Sequence, residues 1–136
     1  MTEAWFPGGT ALTMLDVYDW VAPDGLPGGS AHVHLASTEG YVVQAGRGRL
    51  QTLGVRGYSE PDLGPGDVLW FTPGIIHRLV NDGGLRLLVI MANAGLPEAG
   101  DAAGLAEGVV RRAGRAAGPR RYGMCGRLTP YEAISP

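Results

Sequence analysis

Three histidines and one glutamate hold most of the chemistry this chain offers. His32 and His34 stand one residue apart shortly after Gly29, four residues separate His34 from Glu39, and His77 ends the run Gly74-Ile75-Ile76-His77. Side chains alternate along a strand, so His32 and His34 project from one face about 7 Å apart. Imidazole nitrogens with one carboxylate oxygen suit a divalent first-row metal, and Mn, Fe, Co, Ni and Zn all accept that set. Four such ligands leave two positions of an octahedral ion open, enough for a substrate to bind through two oxygens. A His-x-His pair alone is more often a surface or hydrogen-bonded pair than a metal site. The wider spacing changes that weighing: six residues follow Glu39 before Gly46, Gly66 comes later, and three residues separate His77 from Asn81. Without a cation, three imidazoles and a carboxylate facing one cavity need a partner or water for every polar atom.

The elements that must position these residues read as strands. Seven short runs, roughly 11–18, 31–36, 40–45, 49–54, 67–71, 76–81 and 85–92, have strand character, and their close spacing predicts a sandwich or barrel. Between them stand PDGLPGG at 23–29, GRG at 46–48, GPG at 64–66, TPG at 72–74 and NDGG at 81–84. Those segments supply glycine for positive φ and proline for a preset φ. The 136 residues make one domain, a size that buries roughly two-thirds of its unfolded surface. Residues 1–101 form the β body and 102–136 an arginine-rich tail rather than a second domain. Within the tail, Leu105, Val109 and Ala113 have helical spacing, which Gly104, Gly108 and Gly114 weaken.

Charge divides the chain unevenly. Residues 1–110 carry 12 acids and 5 arginines, residues 111–136 carry 6 arginines and 1 acid, and lysine is absent. The formal net charge is nonetheless −2, and no nucleic-acid module is recognisable, so the tail reads as a solvated face or a contact with a neighbouring subunit. No nucleic-acid partner is expected. The longest apolar run, residues 87–92, is too short to span a bilayer, and Cys125 is the only cysteine. A cytoplasmic protein with no membrane partner is the expectation.

From Gly29 to Asn81 the motifs resemble those of the cupins, small barrels that hold a metal with three histidines and a glutamate from two short motifs. One departure is visible: the second motif usually reads Pro-x-Gly-x-x-His, whereas this chain has Thr72-Pro73-Gly74-Ile75-Ile76-His77. The glycine-to-histidine spacing is kept. The resemblance implies an all-β, single-domain cupin-type barrel (double-stranded β-helix or jelly roll) with a short helical or irregular C-terminal tail. It also implies one divalent transition metal on His32, His34, Glu39 and His77, and, as in many single-barrel relatives, a homodimer.

Alternation names the residues expected to meet a substrate. Tyr41 and Val43 share the face of Glu39, Asn81 shares that of His77, and Met91 or Asn93 lines the wall from the last strand. Each has a plainer role open to it: core packing for Tyr41 and Val43, and a hydrogen-bonded turn for Asn81. Trp70 and Phe71 are expected in the core, one on each face, and Arg78 at the surface or an interface. Glu39 counts against a thiol dioxygenase, which resembles this site without the glutamate, and a single motif pair counts against a two-barrel oxalate decarboxylase type. A phosphosugar isomerase would want a cationic clamp, for which only Arg49 or Arg86 is placed to turn inward. Two functions remain. One is a metal-dependent dioxygenase, isomerase, epimerase or cyclase acting on an oxygen-bearing small molecule, with Glu39 as proton carrier. The other is a non-catalytic module that binds a sugar or organic acid.

Overall fold

Two long strands carry the architecture. In the computed structural model, which describes residues 7–92 and 126–128, β3 (Thr38–Gly54) and β7 (Ile76–Ala92) run antiparallel along nearly their whole lengths, from Thr38 opposite Ala92 to Leu53 opposite Ile76. The sequence predicts four strands here. The GRG and NDGG segments do not end the strands; they shift the register between Val43 and Gly48. Glycine makes this possible: at Gly46 (φ +76°) and Gly48 an added Cβ would collide with the backbone of Gly84 and of Val80, so the two strands stay paired through the irregularity.

Around this pair the remaining strands assemble. β1 (Thr10–Asp16) lies on the far side of β7, β6 (Val68–Phe71) on the far side of β3, and β2 (His32–Val33) against the start of β7. Two short strands, β4 (Gly57–Ser59) and β5 (Asp62–Leu63), add to β3. The final strand, β8 (Gly126–Leu128), pairs with β6, with Gly126 opposite Trp70. Every ladder is antiparallel, and no α-helix occurs among the described residues. The described residues are all-β, as the periodicity predicts. The helical spacing at 102–117 falls outside the described residues. No helix among them is long and apolar enough to cross a membrane.

Alternation sets the core. Glu39, Tyr41 and Val43 of β3 turn inward, and Tyr41 and Val43 join Leu50, Leu69, Phe71, Leu79, Leu85, Leu87 and Val89 in one buried cluster. Phe71 is buried there as expected, but Trp70 is not: it faces outward, 40% exposed, because the inward positions of β6 are taken by Leu69 and Phe71.

Along β7 alternation breaks down, since His77 to Asn81 are all buried. The cause is the 22–29 segment, whose Pro27–Gly29 backbone pairs along the edge of β7 away from β3 and whose Asp24 reaches Arg78. Gly29 donates its N–H to the Leu79 carbonyl (3.0 Å), Asn81 donates to the Pro27 carbonyl (2.9 Å), and Gly28 bridges Val80. Arg78 is therefore not at the surface. It is 1% exposed, and its Nη1 donates to Asp24 Oδ2 at 2.7 Å. Removing one partner of a buried ion pair leaves the other charge desolvated. Asp24→Ala is accordingly expected to cost about 3–5 kcal/mol, measured as a lower midpoint of urea unfolding with the slope unchanged.

Candidate metal centre

Strand pairing, not sequence proximity, assembles the four ligands. His32 on β2 lies directly opposite His77 on β7, and their ring centroids are 4.3 Å apart. His34 follows β2 immediately, and its carbonyl accepts the N–H of Gly74 at 2.8 Å. That bond ties the turn before His77 to the segment carrying the first two histidines. Glu39, at the second position of β3, lies opposite Phe71 on one side and Met91 on the other. One ligand atom from each of His32, His34, Glu39 and His77 falls within 4.8 Å of all the others.

The hydrogen bonds fix which ring nitrogens face inward. His32 Nδ1 is 3.0 Å from the Ser30 carbonyl, and His77 Nδ1 is 3.0 Å from the Ile75 carbonyl. A carbonyl only accepts, so each Nδ1 carries the proton and each Nε2 keeps its lone pair, the tautomer that metal ligation requires. His77 Nε2 and His34 Nε2 lie 3.0 and 3.3 Å from the same carboxylate oxygen, Glu39 Oε2. Yet His77 Nε2 and Glu39 Oε2 are both buried without an aligned hydrogen-bond partner, as is His34 Nδ1. Lone pairs packed this closely, with His77 fully buried, fit a shared cation. The donor set of nitrogen and carboxylate oxygen matches a divalent first-row metal.

Electrostatics favour a neutral His32 and an ionised Glu39. Burial pushes the His32 imidazole below its ordinary value, aided by His77, so the ring stays neutral to lower pH. Burial pushes the Glu39 carboxyl up, but the proximity of His77, the Tyr41 hydrogen bond and the proximity of His34 outweigh it and hold the carboxyl below the usual carboxylate range, the two imidazoles acting in this way when they carry a second proton. Tyr41 is itself buried, and burial together with the adjacent carboxylate raises its phenol well above the ordinary value. The phenol therefore keeps its proton and donates it to Glu39.

A cavity of about 510 Å³ opens over the ligands. His32, His34 and Glu39 lie on its floor, joined by Tyr41 and Met91 as alternation predicts. Val43 and Asn81 are not among its lining residues. Val43 packs in the core. Asn81 holds the strand irregularity: its Nδ2 donates to the Val17 carbonyl at 2.8 Å, and its Oδ1 accepts the N–H groups of Gly83 and Leu85 at 3.1 and 3.0 Å. Neither candidate arginine turns inward, since Arg49 is held by Glu60 and Asp82 and Arg86 lies beside Asp16. Asn93 lies outside the described residues. Sequence reasoning missed the wall contributed by Thr13, Leu15, Val17 and Tyr18. Their odd-numbered spacing from 13 to 17 was the available signal.

The family described as Cupin domain matches residues 20–91. No curated protein matches the sequence. Among solved structures, oxalate decarboxylase from Lactobacillus farciminis in a formate complex is 24% identical, with a TM-score of 0.46, covering 50% of this chain and 20% of its own. The oxalate decarboxylase of Bacillus subtilis, in a study of its Mn(II) centres, is 20% identical, with a TM-score of 0.45, covering 50% and 18%. This chain thus spans about a fifth of the length of those enzymes.

Proposed function

This chain belongs to the cupin family, and from that premise we propose that it is a metal-dependent enzyme acting on an oxygen-bearing small molecule, as a dioxygenase, isomerase, epimerase or cyclase. The observation that carries this reading is the contact of His77 Nε2 with Glu39 Oε2, 3.0 Å apart, buried and unsatisfied, beside a cavity that His32, His34 and Glu39 line and that is large enough for an organic substrate. His32, His34, Glu39 and His77 would hold the metal, which supplies Lewis acidity and a template for substrate oxygens. The two Nδ1 bonds to Ser30 and Ile75 lock His32 and His77 in the ligating tautomer. Glu39, ionised at neutral pH, takes and returns a substrate proton, and Tyr41 orients its carboxylate through the phenolic hydrogen bond. Leu79 and Val89, lining the cavity, exclude water from the reacting face. The exposed Leu12 and Met14, on edge strand β1, support a homodimer.

The test has two stages. Purified protein is expected to carry one divalent ion per chain by plasma emission analysis. Vicinal diols, enediols and hydroxyketones are then offered to protein loaded with each candidate metal. Oxygen uptake marks a dioxygenase, and solvent deuterium in recovered substrate marks an isomerase. A protein that retains no metal overturns the reading. A loaded protein that binds a sugar or organic acid and never alters any compound is a binding module instead.

A further inference from the structure

The wall of the cavity restricts what can approach the ligands, and the inference drawn from it rests on the metal-centre reading of the same site. The wall is built from Leu15, Val17, Leu79, Val89 and Met91, with Tyr18 at the rim. Val17, Leu79 and Val89 belong to the buried core cluster and Leu15 and Met91 pack against it, so this apolar surface is held rigidly by the fold. Tyr18 extends it outward, with its ring 4.9 Å from that of the exposed Trp20.

Among the described residues, no cationic side chain lines this wall. The chain has no lysine, and none of the five arginines before residue 93 is among the lining residues. Arg49, Arg78 and Arg86 face Asp82, Asp24 and Asp16 respectively, while Arg47 and Arg56 are exposed. The one ionised group in the cavity, Glu39, is itself an anion. A carboxylate out of reach of the metal, pressed against aliphatic carbon, would lose its hydration with no partner among the described side chains. The volume, about 510 Å³, also far exceeds what a two-carbon acid fills.

We infer that the substrate is a largely apolar molecule presenting two adjacent oxygens at one end, of the catechol, enediol or hydroxyketone class, and that small dicarboxylates, which leave the apolar wall uncovered, bind weakly. The oxygens reach the floor beside Glu39, and the carbon body lies along Leu79, Val89 and Met91 toward Tyr18. Affinity should then grow with the apolar body, by about fourfold for each methylene-sized group buried.

Catechol, tert-butylcatechol and oxalate, titrated into the cobalt-loaded full chain and followed by visible absorbance, test this. Each affinity is divided by that of the same compound for free cobalt ion in the same buffer, which removes intrinsic chelating strength. The normalised affinity of tert-butylcatechol is expected to exceed that of catechol by about tenfold or more, with oxalate weakest. Met91→Arg, a change at a partly exposed wall position, is expected to move the ratio toward oxalate by about tenfold or more. Oxalate matching or beating tert-butylcatechol on loaded wild-type protein overturns the substrate class and leaves the metal centre standing. Failure to retain cobalt at all overturns both.

Discussion

Replacing His77 with alanine is expected to empty the metal site, taking bound metal from about one ion per chain to background. His77 is fully buried, its Nε2 stands 3.0 Å from Glu39 Oε2, and its ring lies 4.3 Å from that of His32. Loss of a group that merely orients a ligand typically weakens metal binding about 10–100-fold, so loss of a ligand itself should exceed that. The matched control is Asn81→Ala, four residues along the same strand. Asn81 makes backbone hydrogen bonds to Val17, Gly83 and Leu85 and does not line the cavity. Its loss should lower stability by about 1–3 kcal/mol while the metal stays. Plasma emission analysis with thermal unfolding of both variants separates the cases. Metal retained in the His77 variant would remove that residue from the site.

Glu39→Gln is expected to separate holding the metal from moving the proton. The amide keeps the shape and one ligating oxygen but cannot accept a proton at neutral pH. A positioned general base contributes about 10²–10⁴-fold to a rate, and a loss of that size in turnover is the expected result, with metal content reduced far less than in His77→Ala. The carboxylate is suited to the task because His77 and Tyr41 hold it ionised despite burial. Turnover per bound metal, measured on the substrate identified by the compound screen, is the deciding quantity. Wild-type turnover per metal in Glu39→Gln would confine Glu39 to ligation.

The four candidate ligands were legible from motif spacing that resembles the cupin pattern, although strand pairing brings them together. His32 and His34 share a face by strand alternation, Gly74 and His77 keep a turn-to-strand spacing, and Glu39 shares its parity with Tyr41. Composition and turn residues likewise sufficed for an all-β chain. What alternation could not reveal was how far each strand continues. Gly46 and Gly48 look like a turn in isolation, yet they admit a close backbone approach that keeps β3 and β7 paired past it.

Long-range packing decided the remainder. Arg78 alternates away from His77, which locally reads as surface, but the 22–29 segment pairs along the edge of β7 and brings Asp24 to within 2.7 Å of its guanidinium. Asn81 has the parity of His77, but the strand irregularity beside it supplies three backbone partners that outcompete the cavity. Tyr18 and Leu15 become cavity wall only because β1 pairs with β7 across 70 to 82 positions of sequence, from Asp16 opposite Arg86 to Thr10 opposite Ala92. Side-chain chemistry and period-two alternation are properties of neighbouring residues, so the sequence alone sufficed for the β character and for naming the candidate ligands. Which face of a strand is covered depends on segments distant in the chain, so only the tertiary structure decided the apolar wall, the buried ion pair and the burial of His77 against Glu39.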